Sequence, residues 1–237
     1  MEFLAKEVAR LHRLTKKSFL GKGSHQSISN KLAFNKSFFQ KTMEHLSSLG
    51  CDISNYSEIF DTMEKALISL KTAFQARFDQ GHIRECHGDL KLENLWIQPA
   101  SYKELQQKLF ALDCIDFNPD FYHIDTLSDA AMLVMDLQIH LQPEDRNLVE
   151  VFITTYLQEM AEDGRFARSI LMYYTAEKAI VCANVSILLD NNPDRGLKCL
   201  VLAKELVKEL KYLVEALNAQ QMINEKVVDL SEMPSVS

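Results

Sequence analysis

Apolar residues recur every three or four positions along most of this chain, and this period constrains its fold more than any other feature. In the first segment Val8, Leu11 and Leu14 follow the spacing while charged residues fall largely outside it, which is typical of an amphipathic helix. The same spacing predicts seven helices, which cover residues 2–18, a segment around Phe39 that ends at Gly50, a segment from Ile59 to Gly81, and about 126–141, 144–162, 166–190 and 194–220. The sequence therefore predicts a mainly α-helical protein.

Residues 82–124 break the helical period. The segments "IREC", "NLWI" and "KLFALDCIDF" are short apolar or β-prone runs separated by polar turns, which predicts two or three short strands. We interpret "GKGSHQSISN" as a loop, and "PASYKELQQ" as a loop or one to two turns of helix. The expected fold class is mainly α with a small β insert (α+β). We expect one domain over residues 1–220 and a frayed C-terminal tail over residues 221–237.

Composition limits the classes of partner. The chain has 237 residues, of which 47% are hydrophobic, and this is enough to build a substantial core. Its net charge is −7 and no run of Lys or Arg forms a basic stripe, so nucleic acid is excluded and a cationic or neutral small substrate is favoured. The N-terminus lacks the apolar core of a signal peptide and "AAMLVM" is too short to span a bilayer. We therefore expect a cytoplasmic protein with no membrane partner.

Cysteine and histidine spacing indicates no metal site. The five cysteines are scattered and never spaced as C-x-x-C, so we expect reduced, buried thiols rather than a disulfide framework or a zinc site. Six of the seven histidines share no ligand spacing, and for them we expect surface or capping roles. These are His12, His25, His45, His82, His123 and His140.

The stretch "RECHGDLKLENLWI", residues 84–97, gathers polar groups between apolar runs. Phosphoryl transfer from ATP requires a carboxylate that positions the acceptor hydroxyl and hard oxygen ligands that hold Mg²⁺. Asp89 suits the first role, while Asn94 and Asp113 suit the second. His87 suits a loop organiser that bonds to the backbone and orients Asp89, and Lys91 suits a cation that offsets charge on the transferred group.

Two alternatives remain open at this point. Asp89 and Asn94 taken alone also fit a turn in which both side chains bond to local backbone groups. The later Asp113, which follows on a second predicted strand, favours the phosphoryl-transfer interpretation. Asp116 competes with Asp113 as the metal ligand, and an arrangement in which both acids take part is also consistent with the sequence.

The segments "CHGDLKLENL" and "LDCIDFNPDFYHIDTLSDAA" together resemble the aminoglycoside phosphotransferase-like branch of the protein-kinase-like fold. Its loop typically reads H-G-D-x-x-x-x-N, and its metal-binding aspartate opens a later segment. The resemblance is closest to an uncharacterised bacterial group with "RECHGDLH" and "DCIEFN" segments, and it covers residues 1–220. In this family a further aspartate starts a helix and braces the loop, and Asp125 occupies its place. Lys91 stands where the group usually has His, which makes "DLKLEN" similar to protein Ser/Thr kinases.

The resemblance implies the helical C-terminal lobe of such a fold, with Mg²⁺ and ATP as cofactors and a small-molecule hydroxyl as acceptor. The family's N-terminal β lobe carries a glycine-rich loop, a strand lysine and a helix glutamate. Residues 1–81 provide none of these, because Gly21 and Gly23 lie between predicted helices without a preceding strand. We therefore expect the N-terminal β lobe to be absent, the chain alone to bind Mg-nucleotide weakly, and a separate lobe or protein partner to complete the site.

Three functional hypotheses follow. The first is an ATP- and Mg²⁺-dependent phosphotransferase whose nucleotide-binding lobe is supplied from elsewhere. The alternative is a catalytically inactive kinase-like remnant that acts as a binding or interaction module. The third, a helical scaffold unrelated to kinases, ranks last because it leaves the ordered polar residues from His87 to Asp125 unexplained.

Overall fold

The computed structural model describes residues 1–18, 24–100, 106–162 and 164–231. The helices are α1 (Glu2–Leu14), α2 (His25–Ser48), α3 (Ile59–Ser69), α4 (Lys71–Asp79), α5 (Pro119–Tyr122), α6 (Thr126–His140), α7 (Asn147–Glu159), α8 (Arg165–Leu188) and α9 (Pro193–Ser231). The strands are β1 (Ile83–Glu85), β2 (Leu95–Gln98), β3 (Lys108–Ala111) and β4 (His123–Asp125). Short 3₁₀ turns lie at Ser54–Tyr56, Leu92–Asn94 and Pro143–Asp145. The fold class, mainly α with a small β component, is as predicted.

Helix α6 forms the centre of the core. Leu127, Ala130, Leu133 and Val134 occupy different sides of this helix and all are buried, which is expected for a helix surrounded by other elements. Helix α8 packs against α6, α2 and α9, and α1 packs against α7. None of the described helices combines the length and the apolar character that crossing a bilayer requires. The buried surface of α6 is therefore the platform on which the β region rests.

Two antiparallel strand pairs flank the polar loop. Strand β1 pairs with β4, with Ile83 opposite Asp125, and β2 pairs with β3, with Leu95 opposite Ala111. The sequence predicted β1, β2 and β3, whereas β4 was not predicted. Because β1 ends directly before the loop and β4 leads directly into α6, their pairing brings the loop onto the first turns of α6.

The first two helices differ from their predicted bounds. Helix α1 ends at Leu14 rather than residue 18, because Thr15 adopts an extended conformation and its hydroxyl donates to His12 O at 2.8 Å. The predicted loop "GKGSHQSISN" contains the start of α2, since the Ser24 side chain accepts from Ser27 N and caps the helix. Residues 19–23, which include the predicted Gly21 and Gly23 loop, lie outside the described residues.

The later helices keep their order but not all their bounds. The helix predicted from Ile59 to Gly81 is divided at Leu70 into α3 and α4. Helix-type hydrogen bonds continue on both sides of this division, because Leu70 N donates to Ala66 O and Phe74 N donates to Leu70 O. The apolar residues therefore keep their helical spacing from α3 into α4. Helix α9 continues to Ser231, beyond its predicted end at residue 220. Residues 101–105 of the predicted "PASYKELQQ" segment lie outside the described part of the chain.

Candidate active site

The loop over residues 86–94 requires glycine at its third position, Gly88. Gly88 has φ +85°, in the left-handed region that side chains disfavour. A Cβ atom at this position would lie 2.7 Å from the backbone oxygen of Phe121 and 3.2 Å from Cβ of Ile115. The chain from β3 to α5 therefore packs directly on the loop backbone, and the His-Gly-Asp order has a steric cause.

Two carboxylates of α6 hold the loop from below. Asp129 accepts the backbone N–H groups of His87 and Gly88, at 3.0 and 2.9 Å, with one carboxylate oxygen each. Asp136 accepts the backbone N–H of Leu92 at 2.8 Å. Positions seven residues apart lie two turns apart on one face of a helix. One rigid helix therefore fixes both ends of the loop.

Asp129 is part of a buried network that reaches α1. His12 Nε2 lies 3.0 Å from an Asp129 oxygen, and His12 Nδ1 lies 2.7 Å from the Tyr156 hydroxyl. Burial raises the pKa of Asp129, but the hydrogen bonds from His12 and the backbone of His87 outweigh burial and hold this pKa below its usual value. The predicted surface or capping role of His12 is wrong, because its side chain is buried against Asp129 and Tyr156.

The carboxylate predicted to brace the loop, Asp125, binds Arg77 instead of the loop backbone. Arg77 binds both of its oxygens at 2.7 Å, and Asp125 Oδ1 also accepts from Leu127 N at the start of α6. Arg77 also pairs with Glu162, which follows α7. Burial lowers the pKa of Arg77, but the contacts with Asp125 and Glu162 outweigh burial and raise this pKa above its usual value. Asp125 therefore joins α4 to α6 and the end of α7, and Asp129 is the residue that braces the loop. Asp129 was missed at the sequence level.

His87 links the loop to the segment after β3. Its Nδ1 accepts from Asp89 N at 3.3 Å, and its Nε2 lies 2.7 Å from Leu112 O. Because a backbone N–H only donates and a carbonyl only accepts, Nε2 carries the proton of the ring. A neutral imidazole in this tautomer satisfies both contacts, and it fixes the backbone at Asp89.

The orientation of Asn94 follows from its contact with Asp89. Asn94 Nδ2 donates to the backbone oxygen of Asp89 at 2.9 Å and to Asp89 Oδ2 at 3.3 Å. Because the backbone oxygen accepts only, the amide group must present its NH₂ to Asp89 and its Oδ1 elsewhere. Among the described residues no donor bonds to Asn94 Oδ1. A hard oxygen ligand is therefore left available beside the Asp89 carboxylate.

Lys91 neutralises the acidic side chains of the loop. Its Nζ lies 3.0 Å from Asp89 Oδ2 and 2.8 Å from Glu93 Oε1. Burial lowers the pKa of Lys91, but the contacts with Glu93 and Asp89 outweigh it and raise this pKa above the usual value. The ammonium is therefore charged at neutral pH and lies directly on the Asp89 carboxylate.

The backbone near Asp113 is tied to the loop at two points. Leu112 N donates to Asn94 O at 2.8 Å, and Ile115 N donates to His87 O at 3.0 Å. Asp113 lies between these anchors with φ +59°, a left-handed conformation that aspartate tolerates better than most residues. The anchors place the backbone of Asp113 beside the loop.

The three candidate acids do not form a ready-made metal cluster. Asp113 and Asp116 are both exposed. Within the described residues, the carboxylates of Asp89, Asp113 and Asp116 do not form a trio whose oxygens lie within 4.8 Å of one another. The donor types suit Mg²⁺, which takes oxygen ligands and keeps several waters, so a site with two protein ligands remains chemically sufficient.

A second group of metal-ligand types lies beneath the loop. His12, Cys86 and Asp129 are buried and place one potential ligand atom each within 4.8 Å of the others. Each of these residues already has protein partners, and the Cys86 thiol donates to Ile124 O at 3.5 Å. Burial raises the pKa of Cys86 well above its usual value, so this thiol stays protonated. The trio is best described as a hydrogen-bonded support for the loop.

A cavity of about 410 Å³ opens beside the loop. Asp89 and Lys91 line one side of it, and apolar side chains from α2, the segment before α6, α6 and α8 form its walls. These are Phe34, Phe117, Phe121, Met132 and Val181. The volume suits a small organic molecule. A molecule in this cavity lies next to the Asp89 carboxylate.

Comparisons with models of known protein families, with curated proteins and with solved structures found no match. The functional assignment therefore rests on the residues of this chain and on their geometry.

Proposed function

We propose that this chain is the helical, acceptor-binding lobe of an ATP- and Mg²⁺-dependent phosphotransferase of protein-kinase-like fold, which transfers a phosphoryl group to a hydroxyl of a small molecule. The observation that carries the proposal is the Asn94 contact with the backbone oxygen of Asp89. It leaves one amide oxygen for a cation and keeps the Asp89 carboxylate at the edge of the cavity. Phosphoryl transfer needs these two functions side by side.

Asp89 is the residue proposed to act on the acceptor. Its carboxylate accepts the hydroxyl proton and orients the oxygen towards the transferred phosphorus. Lys91, which contacts Asp89 Oδ2, offsets negative charge that develops on the phosphoryl group. His87 and Asp129 act through the backbone, because they hold the loop and neither side chain lines this cavity.

Asn94 Oδ1 and Asp113 are the proposed Mg²⁺ ligands, and Asp116 is the alternative to Asp113. Bound Mg²⁺ supplies positive charge that neutralises the phosphate oxygens. Asn94 fits this role because its amide nitrogen is already committed to Asp89. Asp113 fits because its carboxylate is exposed while its backbone is anchored beside the loop. The phosphates also require a nucleotide-binding lobe, which is supplied in cis or in trans.

The metal site can be tested on this chain without nucleotide. We expect Mn²⁺ to broaden the amide NMR signals of Asn94 and Asp113 before those of residues on α9, and Mg²⁺ to reverse the effect. Asn94→Ala and Asp113→Asn should each weaken the broadening, whereas Asp61→Asn on the exposed side of α3 should leave it unchanged. Broadening that survives Asp113→Asn and disappears in Asp116→Asn would transfer the ligand role to Asp116.

Transfer itself is tested with the nucleotide-binding lobe present. Asp89→Asn should lower the transfer rate by about 10²- to 10⁴-fold, since it removes the proton acceptor with little change in shape. Unchanged transfer in this variant would refute the role of Asp89.

A second candidate, a binding module without chemistry, is favoured by two observations. The carboxylates of Asp89, Asp113 and Asp116 are not gathered as a trio among the described residues, and Lys91 already neutralises Asp89. Under this candidate small molecules enter the cavity, but Mn²⁺ does not broaden Asn94 or Asp113. The NMR experiment therefore separates the two candidates.

A further inference from the structure

Lys178 on α8 is a buried cation that lacks an acidic partner. Its side chain is only 7% exposed and lines the cavity beside the loop. No described residue forms a hydrogen bond or an ion pair with its ammonium group. The neighbouring Glu177 does not contact this ammonium: its Oε1 binds Lys31 at 3.0 Å and Asn35 at 3.1 Å, and its buried Oε2 has no hydrogen-bond partner.

An ammonium group in this position is costly for the folded chain. Burying a charge without a hydrogen-bonded counter-ion disfavours the charged form. Burial, followed by the charge of Lys31 on α2, lowers the pKa of Lys178 to about 8. Glu177, Asp129 on α6 and Asp89 on the loop raise this pKa only through space. Most molecules therefore still carry the charge at neutral pH, although no side chain balances it by contact.

The other cations of the cavity are either paired with acids or reached by solvent. Lys31 is paired with Glu177, and Lys91 is paired with Asp89 and Glu93. Arg195 is only partly buried, so solvent reaches its guanidinium group. Lys178 is thus the buried cation of the cavity that gains most from an added anion.

We propose that Lys178 binds an anionic oxygen group of a ligand whose apolar body lies against the aromatic and aliphatic walls of the cavity. Because this inference rests on the proposed function, the acceptor is a hydroxyl compound that carries a carboxylate or a phosphate ester on an apolar frame. Phe34, Phe117 and Val181 supply the apolar contacts, and Asp89 faces the hydroxyl. The net negative charge of the chain does not oppose this, because no described acid contacts the Lys178 ammonium group, and the acids near it act only through space.

Binding is tested without Mg²⁺ or nucleotide, with three probes of matched shape. These are 4-phenylbutyrate, 4-phenylbutan-1-ol and 4-phenylbutylamine. In ¹⁵N-lysine NMR spectra the ammonium signal of Lys178 should shift saturably with the carboxylate, and the alcohol and the amine should bind at least tenfold more weakly. Lys178→Met should remove the preference, whereas Lys208→Met, on the exposed side of α9, should keep it.

The outcomes are decisive for the wild-type protein as well as for the variant. A wild-type Lys178 signal that does not move with the carboxylate, or a carboxylate preference that survives Lys178→Met, would overturn the inference. The phosphotransferase proposal is judged separately. If the chain binds the carboxylate but Mn²⁺ does not broaden the Asn94 signal, the anion site stands and the proposed function fails. If Mn²⁺ broadens the Asn94 signal but the carboxylate does not bind, the proposed function stands and the anion site fails.

A different observation concerns two thiols on neighbouring helices. The Sγ atoms of Cys182 on α8 and Cys199 on α9 lie 2.9 Å apart. The contact with Cys199 lowers the pKa of Cys182 to about 7 against the effect of burial, and the charge of Arg195 adds to this. Cys182 lines the cavity, whereas Cys199 is fully buried. One thiol is thus accessible and ionisable, and the other lies directly behind it.

We infer that Cys182 and Cys199 form a peroxide-sensitive dithiol that closes into a disulfide. The Cys182 thiolate attacks one oxygen of hydrogen peroxide, which releases hydroxide and leaves a sulfenic acid on Cys182. The Cys199 thiol then attacks the Cys182 sulfur, and water leaves as the S–S bond forms. The two thiols lose two hydrogens and one peroxide becomes two waters. The new bond ties α8 to α9 at the wall of the cavity.

The test uses a Cys114→Ser background, because Cys114 is exposed and reacts independently. Peroxide treatment should lower the intact mass by two hydrogens and produce a reducible peptide that links Cys182 to Cys199. In the Cys199→Ser variant, Cys182 should instead become a sulfenic acid that dimedone traps. A linked peptide that is absent after peroxide treatment, with both thiols still titratable, would refute this inference.

Discussion

Asp129 and Asp136 lie two turns apart on one face of α6 and together accept three backbone N–H groups of the loop over residues 86–94. Replacing Asp129 by Asn removes one acceptor oxygen and turns an NH₂ group towards backbone donors that remain buried. We expect Asp129→Asn to lower the free energy of unfolding by about 2–4 kcal/mol. Urea unfolding at pH 7 measures this, with Asp61→Asn on the exposed side of α3 as a control. A loss below about 0.5 kcal/mol would contradict the bracing role.

The same carboxylate predicts a dependence on pH. The pKa of Asp129 is lower in the folded chain than in the unfolded chain, where it is about 3.9. The unfolded state therefore binds the proton first as pH falls, so the contribution of Asp129 is complete above about pH 5 and is lost as pH falls through the folded-state value. The difference in unfolding free energy between wild type and Asp129→Asn should shrink between pH 5 and pH 2. A constant difference would show that ionisation of Asp129 does not matter.

Replacing Lys178 should have the opposite effect on stability: it should raise the free energy of unfolding. Folding lowers the pKa of Lys178 from its usual 10.5 to about 8, so the folded chain carries an unfavourable charge below pH 8. Such a shift corresponds to roughly 3 kcal/mol, and Lys178→Met should recover part of it at pH 7. Between pH 8 and 10 the folded wild type releases its proton before the unfolded chain does, so wild-type stability rises and the gain from the variant shrinks. Calorimetric unfolding at pH 7 and pH 9.5 tests this, and Lys208→Met should show no such trend.

Alanine substitutions at Gly88 and Gly50 distinguish the cost of backbone strain from the cost of steric overlap. Both have positive φ, +85° and +80°, but a Cβ at Gly50 meets nothing within 4 Å, whereas a Cβ at Gly88 meets Phe121 O at 2.7 Å. We expect Gly50→Ala to cost about 1 kcal/mol, from the left-handed conformation alone, and Gly88→Ala to cost about 2 kcal/mol or more in addition. Equal losses in urea unfolding would mean that the segment at Phe121 can move away without cost.

The helical part of the fold could be predicted because its cause is local. Periodic apolar spacing identified these helices except α5, which lies inside the segment predicted as strands, although the bounds of the others shifted and α3 and α4 were predicted as one helix. The division at Leu70 was missed because apolar residues on both sides keep the same spacing through it. The start of α2 was missed because Ser24, interpreted as a loop residue, is a helix cap. Capping residues and loop residues are the same residue types, and one sequence does not separate them.

The candidate site divides in the same way. His87, Asp89, Lys91 and Asn94 could be identified because they lie within eight residues of one another. Asp129 could not, because its partners His12 and His87 are far away in the chain and only the fold brings them together. One signal was present: an aspartate inside an otherwise apolar helix is costly unless it has donors. The same reasoning applies to Lys178, which lies in the apolar helix α8.

The strand pairing has a consequence for how this region can change over time. Because Glu85 pairs with His123, the chain leaves the helical body and returns to it at adjacent positions. The segment from 86 to 122 thus begins and ends at neighbouring positions of the β1–β4 pair. Insertions or deletions between β2 and β3 leave the β1–β4 pair and the loop that α6 holds unchanged. Natural variants of this chain should therefore differ in length between β2 and β3, while the spacing from His87 to Asn94 stays constant.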